Sequence, residues 1–380
     1  MANTYLGFSP ADFARVASTT LAKHIKEVEE AWIKNYQMGA LLEANGRIMY
    51  NMGGRGFDWP VQYRVHNLEG NTGETTRVFN RTNLWKTAQL EYRGYQSTDA
   101  MYYREFLENR GEEGVVKVFN EFTSRLEQSM KQGLGPEYYV DGSATGNETS
   151  WHGFESMFAA TQTINSSTGA ARAANAADFV GYPNDTYAAI STVLGNYGGE
   201  NESGQVWPLG VADAHFDFWS PLLVNYTSSG FGGTSDTWAA QGDEALRYAI
   251  IHSQRNSTLD GQVTNCVLDR NLYFGLLNLI DNKEQIQVNR GEQSGLVSLG
   301  FRNVINFDGI EVSWEAAVPT NVGYGYNINN IEMLSMDSTL FRSEGPEFQI
   351  DTQAFVAAVS TLSNLKFRAP RNFFKLLAMA

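Results

Sequence analysis

The sequence predicts a mixed α+β chain, and three observations carry that expectation. Near the N-terminus apolar residues recur at a helical spacing, from Phe57 the period drops to two, and 36 glycines against 9 prolines mark many turns without a collagen repeat. Hydrophobic residues make up 42% of the 380 and charged residues 18%, so the chain carries enough apolar surface for a large core.

The elements follow in order. Ser9-Pro10-Ala11-Asp12 is a helix start, with Ser as N-cap, Pro in the first turn and Asp near the positive end of the dipole. Phe13, Val16, Leu21, Ile25, Val28, Trp32 and Tyr36 then share one face, and Asn45-Gly46 is the expected stop. Phe57, Trp59, Val61, Tyr63 and Val65 alternate with polar residues and with Pro60, which cannot donate to a ladder and so belongs at an edge or in an exposed hairpin. Residues 84–93 are the partner run, and the polar stretch 67–83 between them is too long for a tight turn. Two strands alone are marginal in water, so Trp59, Tyr63 and Trp85 need burial, either on a partner subunit or on the chain's own body.

A further helix, with Val115, Phe119, Phe122, Leu126 and Met130 at its apolar positions, is expected to end at Gly133. Segments 141–175, 198–204 and 228–242 read as Gly- and Ser-rich loops, with a short aromatic patch at 151–158. Residues 263–268 read as a buried strand and 270–280 as a helix. Strands are expected at 304–307, 310–314 and 326–334, turns at Gly309 and 323–325, and a last helix or strand at 353–362.

A formal charge of −14 speaks against holding nucleic acid by general phosphate neutralisation. The basic strip Lys366, Arg368, Arg371 and Lys375 reads as a solvated chain end sooner than as a phosphate contact. One cysteine, Cys266 in an apolar run, excludes an intrachain disulfide and a multi-Cys zinc site. The N-terminus lacks the basic-then-apolar pattern of a signal peptide, and the apolar run 272–280 is too short to span a membrane, so a soluble protein made in a cytoplasm is expected. No phosphate loop, zinc helix or nucleophile elbow is present, so neither an enzyme nor a cofactor is expected. Asp213, His215 and Asp217, two apart on one strand face, are the one set with metal-ligand chemistry. Without a fourth ligand they support only an alternative, a metal-dependent hydrolase.

This order of amphipathic arm, long β-ribbon, long helix, Gly-rich middle and late strands resembles the major capsid protein of tailed bacteriophages. Leu299-Gly300-Phe301, Phe307-Asp308-Gly309-Ile310-Glu311-Val312, Gly325-Tyr326-Asn327-Ile328-Asn329 and Met333-Leu334 are similar to that family's A-domain strands. Asp217-Phe218-Trp219-Ser220-Pro221 and Ala369-Pro370-Arg371-Asn372-Phe373-Phe374 are likewise similar to its members. The resemblance implies an α+β, HK97-like capsid fold: an N-arm over 1–46, an extended β-hairpin E-loop over 47–96, a P-domain with its long spine helix over 97–149, an A-domain over 150–330 and a closing A/P-domain segment over 331–380. It implies a structural virion protein, assembled in the host cytoplasm, whose hexamers and pentamers build an icosahedral shell around double-stranded DNA. Portal and decoration proteins would be its neighbours. Some members begin with a scaffolding segment that a protease removes. Here the ribbon starts by Phe57, so a separate scaffolding protein, or a sequence in mature form, is expected. Trp59, Tyr63, Trp85 and Lys86 are the candidate contacts with a neighbouring subunit, the aromatics as anchors, and no cross-link through Lys86 is expected. An encapsulin-like nanocompartment, with protein cargo in the same fold, is the alternative within this architecture.

Overall fold

The computed structural model describes residues 36–62, 85–104, 133–158, 185–192, 219–231, 235–253, 261–282 and 304–379, the short strands 163–165, 171–173 and 180–183, and Gly73, Leu126, Ser129 and Met130. The expected N-terminal helix lies outside these residues up to position 35. Tyr36, expected within that helix, is instead extended backbone at φ −116° and ψ 126°, so α1 (Gln37–Ala44) begins after it; α1 stops at Asn45-Gly46 as the sequence predicts, with Asn45 Nδ2 donating to Leu41 O at 2.7 Å. The body is built from two sheets. The first is a five-stranded sheet of β1 (Ile48–Met49), β4 (Arg93–Tyr102), β15 (Ile331–Ser335), β16 (Arg342–Gln349) and β17 (Ala354–Phe367). Between β1 and β4 the chain makes a separate hairpin of β2 (Gly56–Gln62) and β3 (Trp85–Glu91).

Strand β17 organises the first sheet. Phe355, Ala357, Val359, Leu365 and Phe367 recur at a period of two and are all buried, which defines its core face. One edge pairs first with β16 and then with β15, and the other pairs with β4 from Ala354↔Tyr102 to Ser363↔Arg93. The register of β16 shifts between Glu344 and Glu347, beside Pro346, an irregularity that blunts an edge strand. Strand β4 occupies the start of the segment that the sequence assigns to helix. Its alternation runs between half-exposed and exposed residues until the buried Met101, and its half-exposed face carries Arg93, Ser97 and Asp99 beside Tyr95, so it shows no continuous apolar stripe. Gly133 is not a helix stop either: residues 133–137 are helical and Leu134 is buried, and the turn comes only after Pro136.

The second sheet has nine strands in the order β12-β13-β11-β14-β18-β10-β7-β5-β6. These are β5 (Thr163–Asn165), β6 (Ala171–Ala173), β7 (Val180–Pro183), β10 (Leu222–Asn225), β11 (Asn265–Leu268), β12 (Val304–Phe307), β13 (Ile310–Trp314), β14 (Gly323–Tyr326) and β18 (Phe374–Leu377). Helices α2 (Trp238–Ser253) and α3 (Arg270–Asn282) cover one face through Leu246, Ala249, Leu272 and Leu276, packed on Leu222, Val224, Cys266, Val312 and Leu376. The other face, with Leu223, Val267, Tyr324 and Tyr326, joins the core of the five-stranded sheet. Being covered on both sides, β10, β11 and β14 are buried at every residue. Strand β11, α3, β12 and β13 fall where the sequence places them. Helix α2 replaces the end of an expected loop, locked to α3 by Trp238 Nε1 donating to Leu272 O at 2.7 Å.

Two expectations are corrected between β14 and the C-terminus. Residues 323–325 are strand, not turn: Tyr324 and Tyr326 face the main core, and the glycines leave room on the other face. A Cβ on Gly325 would lie 2.0 Å from the Phe374 ring. The expected strand 326–334 is two strands of different sheets, β14 and β15, separated by a 3-10 turn at Ile328–Asn330. The chain returns to the second sheet through 368–373, where Arg368 N–H donates to Asn330 O at 2.9 Å, so both crossings lie side by side. The closing segment is thereby shared: 331–367 belongs to the first sheet and 374–377 to the second.

Gly325→Ala should cost about 1–3 kcal/mol, because the buried Phe374 ring has nowhere to go. Gly133→Ala, on a helical stretch where an added Cβ meets nothing within 4 Å, should stabilise by about 0.5–1 kcal/mol. Urea unfolding measures both, and a Gly325→Ala midpoint at or above wild type would show that the core yields there.

Candidate subunit-contact hairpin

The β2–β3 hairpin is antiparallel over seven rungs, from Gly56↔Glu91 to Gln62↔Trp85. On its inner face Phe57, Trp59, Ala88 and Leu90 are buried, while the next rung, Val61 and Lys86, is only half-buried. The hairpin is therefore rooted in the body at its base and leaves it towards the tip. Tyr63 and the stretch 67–83 lie outside the described residues, Gly73 apart.

The sequence candidates separate along these lines. Trp59 is 7% exposed and finds its burial inside its own chain, stacked on Phe57 at 6.0 Å with Lys366 Nζ 5.2 Å from its ring centre. It anchors the root of the hairpin, not the far end. Trp85 sits on the outer face at the last described rung and is 52% exposed. Lys86 lies on the inner face opposite Val61. Of the candidates the structure describes, Trp85 alone is a large apolar surface presented outward.

The root is held by one amide that sequence reading missed. Asn364 Oδ1 accepts from the N–H groups of His152, at 2.9 Å, and Leu365, at 2.8 Å. Those two donors fix the amide's orientation, so Nδ2 donates to Glu91 O at 2.6 Å and to His152 Nδ1 at 2.8 Å. The imidazole must then carry its proton on Nε2 and stay neutral. Burial, and secondarily the charge of Arg93, push its pKa down to about 4. A second tie comes from the small hairpin of β8 (Thr186–Tyr187) and β9 (Ile190–Ser191), whose Ala188 O accepts from Gln89 N–H at 3.0 Å. Its turn holds Ala188 and Ala189 at φ of 52° and 63°, a left-handed conformation that costs an alanine roughly 1 kcal/mol or more. A polar cleft of about 310 Å³, lined by Gln89, Glu91, Arg93, His152 and Thr186, remains between the two hairpins.

The basic strip is not a solvated end. Lys366 Nζ lies 2.8 Å from Glu332, which Arg368 and Arg47 also approach, and Lys375, 7% exposed, lies 2.6 Å from Glu155. Tyr324 OH also donates to Glu155. Cys266 is buried as expected, and burial pushes its thiol pKa up. Asp213, His215 and Asp217 lie outside the described residues. Among the described residues no three His, Cys, Asp or Glu side chains group as metal ligands, and no helix is long and apolar enough to cross a membrane.

No family model and no curated protein matches the chain. Solved structures do. The capsid asymmetric unit of cyanophage A-1(L) is similar at a TM-score of 0.56 and 12% identity over 90% of this chain and 92% of that one. The capsid of a native GTA particle matches at 0.51 and 10% identity over 90% of both chains. The mature capsid of bacteriophage PhiM1 matches at 0.51 and 9% identity, over 88% of this chain and 86% of that one. The α+β fold expected from the sequence is thus the fold of phage capsid proteins.

The neutral His152 has a pH signature. An unfolded histidine takes a proton near 6.5 and the native one only near 4, so stability is full above about pH 6.5 and falls by about 3 kcal/mol as pH drops towards 4. His152→Asn, whose Oδ1 can accept where Nδ1 does, should lose this slope. Denaturation midpoints of both proteins across that window check it, and parallel profiles would refute it.

Proposed function

We propose, from that shared fold, that this chain is the shell-forming subunit of a phage capsid, a structural protein whose hexamers and pentamers close into an icosahedral shell around double-stranded DNA. The observation that carries the reading is the similarity to capsid chains over about nine-tenths of the length. In this reading residues 1–46 are the N-arm and the β2–β3 hairpin is the E-loop. The five-stranded sheet, with the helix ending at residue 137, is the P-domain, and the nine-stranded sheet with α2 and α3 is the A-domain. A separate scaffolding protein, a portal and decoration proteins are its proposed partners.

Electrostatics supports enclosure without grip. The net charge is −14, and the clustered cations near the C-terminus are largely engaged by Glu332 and Glu155 within the chain. A wall of this kind repels phosphate more than it binds it. The hydrolase alternative gains nothing from the structure, and its three residues lie outside what the structure describes.

Trp85 supplies the test. An exposed aromatic at the last described rung of a rooted hairpin is suited to bury itself on a neighbour, where such anchors contribute about 2 kcal/mol or more. Trp85→Ala should leave the subunit folded, with its unfolding midpoint within about 0.5 kcal/mol of wild type, and raise the threshold concentration for assembly by about tenfold or more. Negative-stain microscopy with sedimentation reads this out. Shells forming at the wild-type concentration would remove Trp85 from the interface, and a wild-type chain that stays monomeric with and without its scaffolding partner would remove the capsid reading itself.

A further inference from the structure

Where the two sheets meet, a carboxyl group is buried with no cation among the described residues to balance it. Glu315 directly follows β13, is 7% exposed, and ties its backbone to β11 through an N–H bond to Leu268 O at 3.3 Å. Its Oε2 accepts from Tyr139 OH at 2.9 Å, and its Oε1 has no hydrogen-bond partner among the described residues. The titratable groups that face it are tyrosines: Tyr36 at the entry to α1, Tyr138 and Tyr139 after residues 133–137, and Tyr326 on β14. Tyr324, Cys266 on β11 and Glu311 on β13 couple to those tyrosines. Asp269, next to Leu268, is turned to the N–H groups of Asn321 and Asn271. Among the described residues no Lys, Arg or His opposes the charge of Glu315. Burial holds its pKa up at about 7, with the Tyr139 hydrogen bond pulling the other way.

Beside this carboxyl lies the seam that fastens α1 to the second sheet. Gln37 Nε2 donates to Trp314 O at 3.0 Å and Gln37 Oε1 accepts from Ser313 Oγ at 2.5 Å, on the two residues before Glu315. Tyr36 packs so closely on residues 133–137 that a Cβ on Gly135 would lie 2.0 Å from its ring. An ionised carboxylate with an unpaired oxygen in such a place is relieved by admitting water. Strand β13 cannot move to admit it, since it is paired on both edges by β11 and β12. Helix α1 has eight residues and no side-chain N-cap bond.

We propose that Glu315 is a proton-controlled latch on the root of the N-terminal segment: protonated, it fits the tyrosine pocket and α1 stays clamped to β13, and ionised, it opens that seam and α1 loosens. The inference rests on contacts within one chain and stands apart from the shell reading. The sign is fixed. An unfolded glutamate gives up its proton near 4.5 and this one near 7, so the stability it confers is lost as pH rises across that window, and the native seam itself opens near its upper end.

Hydrogen exchange read by mass spectrometry on the purified full chain tests it. After correction for the intrinsic pH dependence, exchange over 37–44 should rise roughly tenfold from about pH 6 to about pH 8, while β11 stays unchanged. Glu315→Gln keeps an oxygen for Tyr139 but cannot ionise, and its profile should be flat. Tyr139→Phe removes the bond that favours the ionised form and should move the rise to higher pH, which decides the matter should the glutamine variant not fold. A flat wild-type profile, a rise that Glu315→Gln retains, or a midpoint that Tyr139→Phe leaves in place would each overturn the latch.

Discussion

The hairpin's direction depends on the Asn364 amide, which closes four hydrogen bonds on three segments distant in sequence: the end of β3, the turn that begins at His152, and β17 itself. The His152 and Leu365 partners are buried, so losing the amide would leave them unpaired at about 1–3 kcal/mol each. Strand β17 is also the strand on which β4, β15 and β16 take their register. A single side chain thus refers the projecting hairpin to the frame that orders the whole first sheet. The neutral state of His152 follows from the same arrangement, because a proton on Nδ1 would face a donor.

Charge is organised with similar economy. An acidic chain with a cationic strip near its end invites the idea of a phosphate-binding tail, yet Glu332 draws in Lys366, Arg368 and Arg47, and Glu155 draws in Lys375. Lys366 at the same time covers the Trp59 ring, so the charge cluster and the hairpin root are one structure. Glu315 differs, a buried carboxyl that no cation among the described residues opposes, and it lies where the two sheets and α1 meet. If the chain forms a shell as proposed, a body that neutralises its own cations and presents an aromatic on the hairpin would suit association with copies of itself over adhesion to what the shell would enclose.

Local pattern determined much of this protein. The period of two from Phe57 and its partner run set the hairpin, the Asp308-Gly309 turn set β12 and β13, and the apolar spacing after Arg270 set α3, because in each case the side chains that decide the element are near neighbours in the chain. Tertiary structure decided the rest. Strand β4 is polar and reads as no strand at all until β17 lies beside it. The glycines of 323–325 look like a turn until Phe374 and Leu268, whose side chains they admit, are brought against them. The run 326–334 looks like one strand because nothing local marks the change of sheet at Ile328–Asn330. Trp59 looks like a surface anchor until Lys366, some 300 positions away in the chain, closes over it. The partners of the basic strip, of Trp59 and of Asn364 are supplied by segments that only the fold brings together, and burial, pairing and charge at these sites are properties of that juxtaposition.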